Sequence, residues 1–75
     1  MSKNARIALK EIAIVAAKSN DLYVMSVRLP AKDGDEAREI RDELVRYGCI
    51  SRAEVFGRYY IRCQLENAAF DYLNE

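Results

Sequence analysis

The spacing of apolar positions changes along the chain, and each change marks an element. From Asn4 to Lys18 the residues Ala5, Ala8, Leu9, Ile12, Val15 and Ala16 recur at helical spacing, with Lys10, Glu11 and Lys18 opposite, which predicts a helix. Ile7 and Ile14 fall on its polar side, so the helix is either buried on most sides or meets a second subunit. A rival reading makes Ile12–Ala17 a strand turning at Lys18–Asp21. Over Leu22–Leu29 the period drops to two. Tyr23, Met25, Val27 and Leu29 alternate with Val24, Ser26 and Arg28, predicting a strand with its odd positions toward the core. Pro30 ends it, having no N–H for a ladder. The helical period returns after Asp33, whose spacing to Glu36 is that of a capping box. Ala37, Ile40, Leu44 and Tyr47 form one stripe and Gly48 a left-handed stop. Arg38, Arg41, Asp42, Glu43 and Arg46 lie off the stripe as a solvated face, with Asp42 and Arg46 at ion-pair spacing. The tail from Asn67 carries Ala69, Phe70 and Leu73, a final helical turn or two docked on the core.

Between these elements the stretch CISRAEVFGRYYIRCQL, Cys49–Leu65, admits two structures. Tyr59, Ile61, Cys63 and Leu65 alternate with Tyr60, Arg62 and Gln64, a half-buried strand pattern, and Gly57 is costly inside a helix. With Phe56-Gly57-Arg58 as the loop of a hairpin, Val55 lies opposite Tyr59, Ala53 opposite Ile61 and Ser51 opposite Cys63. The fold is then a single small α+β domain, α-β-α-β-β-α, with helices packed on a short sheet.

The alternative comes from a resemblance. "YVMSVRLP" followed by a helix and then "YGCISRAEV" resembles the ribbon–helix–helix repressors of the Arc and MetJ kind. That resemblance implies a second helix opened by Ser51 and Glu54 and a DNA-binding dimer, to which this sequence would add an extra helix at the N-terminus. Paired strands would carry Val24, Ser26 and Arg28 to base edges in the major groove. Ser51 as N-cap would lie near a phosphate, with Arg52 adding charge.

Composition narrows the chemistry. Seventy-five residues make one domain. Its 51% hydrophobic and 32% charged content is that of a folded domain, not a disordered chain. Twelve basic and twelve acidic residues cancel, so nucleic-acid binding requires a local basic patch. No signal-peptide core or membrane-length apolar run is present, and the expected location is the cytoplasm. The two cysteines, Cys49 and Cys63, then read as buried reduced thiols. The chain has no histidine, which removes the commonest general base, the Ser-His and Cys-His pairs, and a conventional zinc site. Three scattered glycines form no phosphate loop. No cofactor, metal or small-molecule substrate is expected, and no catalytic residue is assigned.

What remains is binding. In the hairpin reading the outward sheet side collects Val24, Ser26, Arg28, Glu54, Tyr60, Arg62 and Gln64, with Arg58 at the turn. Tyrosine and arginine dominate the energetics of many protein interfaces. Arg28, Arg58, Tyr60 and Arg62 are therefore the candidate partner-binding residues. The expected function is a non-enzymatic protein–protein interaction module that blocks a surface of a larger protein, as small phage- or plasmid-encoded inhibitors and adaptors do. A homodimer is a secondary expectation. The alternative is the dimeric ribbon–helix–helix repressor.

Overall fold

The computed structural model describes residues 1–74 and contains α1 (Lys3–Ser19), β1 (Tyr23–Arg28), α2 (Gly34–Arg46), β2 (Ile50–Phe56), β3 (Tyr60–Leu65) and α3 (Ala69–Leu73). This is the α-β-α-β-β-α order of the hairpin reading. The second helix implied by the ribbon–helix–helix resemblance does not form: its residues are the two strands of a hairpin. The strand considered for Ile12–Ala17 does not form either, since α1 runs through it.

The sheet order is β1-β3-β2, with β3 antiparallel to both neighbours. β1 and β2 therefore run parallel to each other, joined by α2 as a crossover, with β3 inserted between them in a split β-α-β arrangement. Ile61, Cys63 and Leu65 of β3 are buried, as are Val24 and Val27 of β1 and Ile50 of β2. α1 contributes Ala5, Ala8, Leu9, Ile12 and Ala16 to this core, and α2 contributes Ala37, Ile40 and Leu44. α1 lies along β1 and α2 along β2, on the face of the sheet that these strand residues share. Among the described residues no helix lies on the other face.

Local signals set the helix ends. Ser2 caps α1 by accepting from the Ala5 N–H at 3.1 Å, and Asp33 caps α2 by accepting from the Glu36 N–H at 2.9 Å. Asn20, in the left-handed region at φ 53°, donates its N–H to the carbonyls of Ala16 and Ala17 and stops α1. Gly48 adopts φ 73° immediately after α2 and directs the chain into β2. Asp42 pairs with its neighbour Arg41 at 2.9 Å rather than with Arg46.

Two bulges change the expected strand faces. In β1 the pairing Val24↔Cys63 gives way to Val27↔Ile61, so an extra residue is accommodated between them. Val24 turns inward and is 1% exposed, while Met25 turns outward and is 63% exposed, the reverse of strict alternation. In β2 the register slips between Ser51 and Glu54, where Arg52 takes φ 51°. The hairpin register also differs from that expected: Phe56 lies opposite Tyr60, Val55 opposite Ile61 and Ser51 opposite Gln64. The loop is Gly57-Arg58-Tyr59. Gly57 at φ 55° and Arg58 at φ 73° supply two successive left-handed residues, the handedness that suits the twist of a hairpin.

Cys49 and Cys63 are free, fully buried thiols, as expected. Among the described residues no helix is long and apolar enough to cross a membrane. α3 packs against α1, burying Ala69 and half-burying Tyr72 and Leu73, and the Tyr72 ring meets Tyr47 edge-on at 5.4 Å. Phe70, expected to dock on the core, is 43% exposed. Glu75 lies outside the described residues.

Candidate interaction surface

The uncovered sheet face is built from the β3 positions that point away from the core, Tyr60, Arg62 and Gln64, and from their cross-strand partners. Its rows follow from the register. Arg28, Tyr60 and Phe56 form one, Arg62 and Glu54 the next, and Tyr23, Gln64 and Ser51 the last. Leu29 extends the pairing of β1 with the hairpin by donating its N–H to the Tyr59 carbonyl at 2.6 Å.

Side chains at the hairpin end of this face hold one another in place. The Phe56 and Tyr60 rings stack with centroids 5.9 Å apart and planes 26° from parallel. The Arg62 guanidinium lies over Phe56, 5.1 Å from the ring centroid, and its Nη2 donates to Glu54 Oε1 at 2.9 Å. The Arg28 guanidinium lies over Tyr59 at 5.2 Å, with no ion-pair partner among the described residues. The two guanidinium–ring contacts each combine a flat ring with a planar cation, an arrangement worth about 0.5–1 kcal/mol where exposed.

Arg28, Tyr60 and Arg62 of the expected partner-binding set thus share one surface, with Arg58 exposed on the adjoining loop. Of the residues expected to contact DNA, only Ser26, Arg28 and Arg52 are exposed. Val24 is in the core, because the β1 bulge turns it inward, and it cannot reach a base edge. Ser51 is in β2 and donates its hydroxyl to the Glu66 carboxylate, so it caps no helix. Phe56 was missed in the sequence. The sequence pattern puts it in the loop, and only the register that places it beside Tyr60 gives it a role on this face.

Charge is uneven across the elements: α1, behind the sheet, carries Lys3, Arg6, Lys10 and Lys18 against Glu11. The open face and its loop carry Arg28, Arg58 and Arg62 against Glu54, whereas residues 33–46, behind the sheet, carry six acidic residues against three arginines. A chain of zero net charge therefore presents a basic face and an acidic helix.

Among the described residues no cluster of Cys, Asp and Glu side chains could hold a metal ion. Burial pushes the Cys63 thiol up to about 11 and raises Cys49, so both are held in the unreactive form. A hollow of about 300 Å³ beside the end of α1 is lined by alanines, Leu22, Leu65 and Phe70, with Asn20 and Asp21 at its rim. It lies away from the arginine–aromatic surface. No protein-family model matches the chain, and neither a curated protein nor a solved structure is significantly similar to it.

Proposed function

We propose that this protein is a non-enzymatic interaction module that docks its open sheet face on an acidic surface of a larger protein and blocks it. The observation that carries the reading is the row Arg28–Tyr60–Phe56, flanked by Arg62 and Arg58, on a sheet side that no helix covers. Packed rings with guanidinium groups held over them lose little side-chain freedom on binding, which is what makes such groups effective anchors. The excess of arginine on the face selects a partner rich in carboxylates, since a guanidinium takes a carboxylate by two parallel hydrogen bonds. An inhibitor or adaptor of the kind encoded by phages and plasmids fits a domain of this size that presents such a surface.

The test compares capture of a binding partner by the wild type and by a variant with alanine at Arg28, Tyr60 and Arg62. Circular dichroism confirms that both are folded. A single interface anchor is worth about 2 kcal/mol, roughly thirtyfold in affinity, so the triple variant loses the partner altogether. A control variant, Glu39→Gln on α2, retains it. Unchanged capture by the triple variant refutes the surface. Salt-sensitive binding of duplex or single-stranded nucleic acid, lost on the same three substitutions, replaces the protein partner with a nucleic acid.

A further inference from the structure

The two arginines of the open face are not in the same state. Arg28 stacks on Tyr59 and faces solvent without a carboxylate, whereas Arg62 lies directly across from Glu54 and is bonded to it. That bond is a single contact from Nη2 to Oε1, not the two-point fork that guanidinium and carboxylate form at their strongest. The pair is also open to water, with the Arg62 side chain 35% exposed and the Glu54 side chain 64% exposed. Exposed single-point pairs of this kind are weak and exchangeable. Arg62 has a second contact besides Glu54, since its guanidinium lies over the Phe56 ring, 5.1 Å from the centroid.

We infer that Glu54 is an internal competitor: in the free protein it occupies the guanidinium of Arg62 that a carboxylate of the partner takes over on binding. This inference rests on the proposal that the sheet face binds an acidic protein surface. Glu54 is the one acidic side chain at the paired positions of the face, and it stands opposite an arginine that also lies over an aromatic ring. Displaced, it has solvent to turn into. An incoming carboxylate that engages both guanidinium nitrogens gains a fork that Glu54 does not make, while a single poorly aligned acid gains nothing over the bond already present. Glu54 therefore acts as a filter. It leaves Arg28 as the first point of attraction and yields Arg62 only to a partner whose second acid arrives in register, with an apolar side chain against Phe56 and Tyr60. Specificity set by a built-in alternative to the partner is a form of discrimination that attraction alone does not supply.

The experiment measures binding of a short fluorescein-labelled peptide of alternating aspartate and phenylalanine by fluorescence anisotropy. The same peptide with asparagine for aspartate is the control. Glu54→Gln tightens the aspartate peptide by up to about fivefold, the value of an exposed ion pair. Glu39→Gln, which removes the same charge from α2 behind the sheet, leaves affinity unchanged. In an Arg62→Ala background the gain from Glu54→Gln disappears, because no guanidinium remains to be released. The inference is overturned if Glu54→Gln binds no better than wild type, or if its gain persists without Arg62 and so reflects net charge alone. Loss of binding on Arg28→Ala and Tyr60→Ala keeps the sheet-face reading standing in either case. If the peptide is not bound, or is bound equally by those two variants, the face itself is wrong and the competitor falls with it.

Discussion

Neighbouring residues of β3 provide a test of which way the sheet faces. Ile61 is fully buried at the centre of the sheet, between Val27 of β1 and Val55 of β2, whereas Tyr60 is 36% exposed on the uncovered side. Ile61→Ala deletes three carbons, about 2.4 kcal/mol of transfer free energy at about 0.8 kcal/mol per methylene. The central strand is fixed on both sides and cannot collapse into the space, so a cavity contribution raises the cost to about 3–4 kcal/mol. A domain of this length has a total stability of about 4–11 kcal/mol, and the variant is left marginal. Its midpoint falls by about 12–30 °C, taking about 4–8 °C per kcal/mol for a chain of this size.

Tyr60→Ala removes a larger side chain at far smaller cost. It gives up the stack on Phe56, about 1 kcal/mol, and leaves no cavity because the space is already open to water. Urea unfolding followed by circular dichroism measures both variants. A one-residue slip of register exchanges the two faces. Equal costs, or a larger loss for Tyr60→Ala than for Ile61→Ala, would falsify the register and with it the assignment of the open face.

Two further outcomes follow from the titrating groups. The Ser2 backbone N–H donates to the Glu43 carboxylate and holds its pKa below the usual carboxylate value, against a smaller opposing effect of desolvation. Its contribution is therefore present above the unfolded pKa, near 4.5, and is lost as pH falls through the lower folded value. A plot of urea midpoint against pH should be shallower on the acid side for Glu43→Gln than for wild type, and superimposable acid limbs would remove Glu43 from the linkage. Cys63, pushed up to about 11, and Cys49, raised by the same burial, should both resist Ellman's reagent at pH 8 in native buffer and react together in urea. A thiol that reacts at the free rate in native buffer contradicts the packing around it.

Elements with one dominant periodic signal were readable from the chain. The stripe Ala37–Ile40–Leu44 between Asp33 and Gly48 specifies α2 almost completely, because cap, face and stop agree. The alternation Ile61–Cys63–Leu65 likewise specifies β3 and its buried side. The bulges were not readable. A bulge inserts one residue without altering composition, so strict alternation carried Met25 inward and Val24 outward, opposite to their positions in the fold. The hairpin loop was misplaced by one residue for a related reason. Strand propensity puts Gly57 at the loop centre, but the loop begins at Gly57 and uses two consecutive left-handed residues, of which Arg58 is the second. Arginine gives no sign in sequence of accepting that conformation. Tyr60 and Arg62 are legible because β3 keeps its alternation throughout, and Arg28 because it lies beyond the β1 bulge, next to the buried Val27. Phe56 depended on the pairing itself and was not.

The same bulges bear on how the sheet can be used. β1 and β2 are its edges, and an edge strand with regular unpaired N–H and C=O groups invites addition of another strand. Here both edges are interrupted near their middles, β1 between Val24 and Val27 and β2 between Ser51 and Glu54. At the second interruption Arg52 adopts a left-handed backbone that takes the local ladder out of the extended form. A strand added to either edge would meet only a few regular hydrogen-bonding positions before losing register, and would gain little from main-chain pairing. The face has no such interruption at its hairpin end: the row Arg28–Tyr60–Phe56 and the pair Arg62–Glu54 follow one another in continuous register across β3. The geometry therefore disfavours strand addition and favours docking by side chains, which is why the proposed contact is assigned to the face, and why substitutions there rather than at Met25 or Arg52 are the ones expected to abolish it.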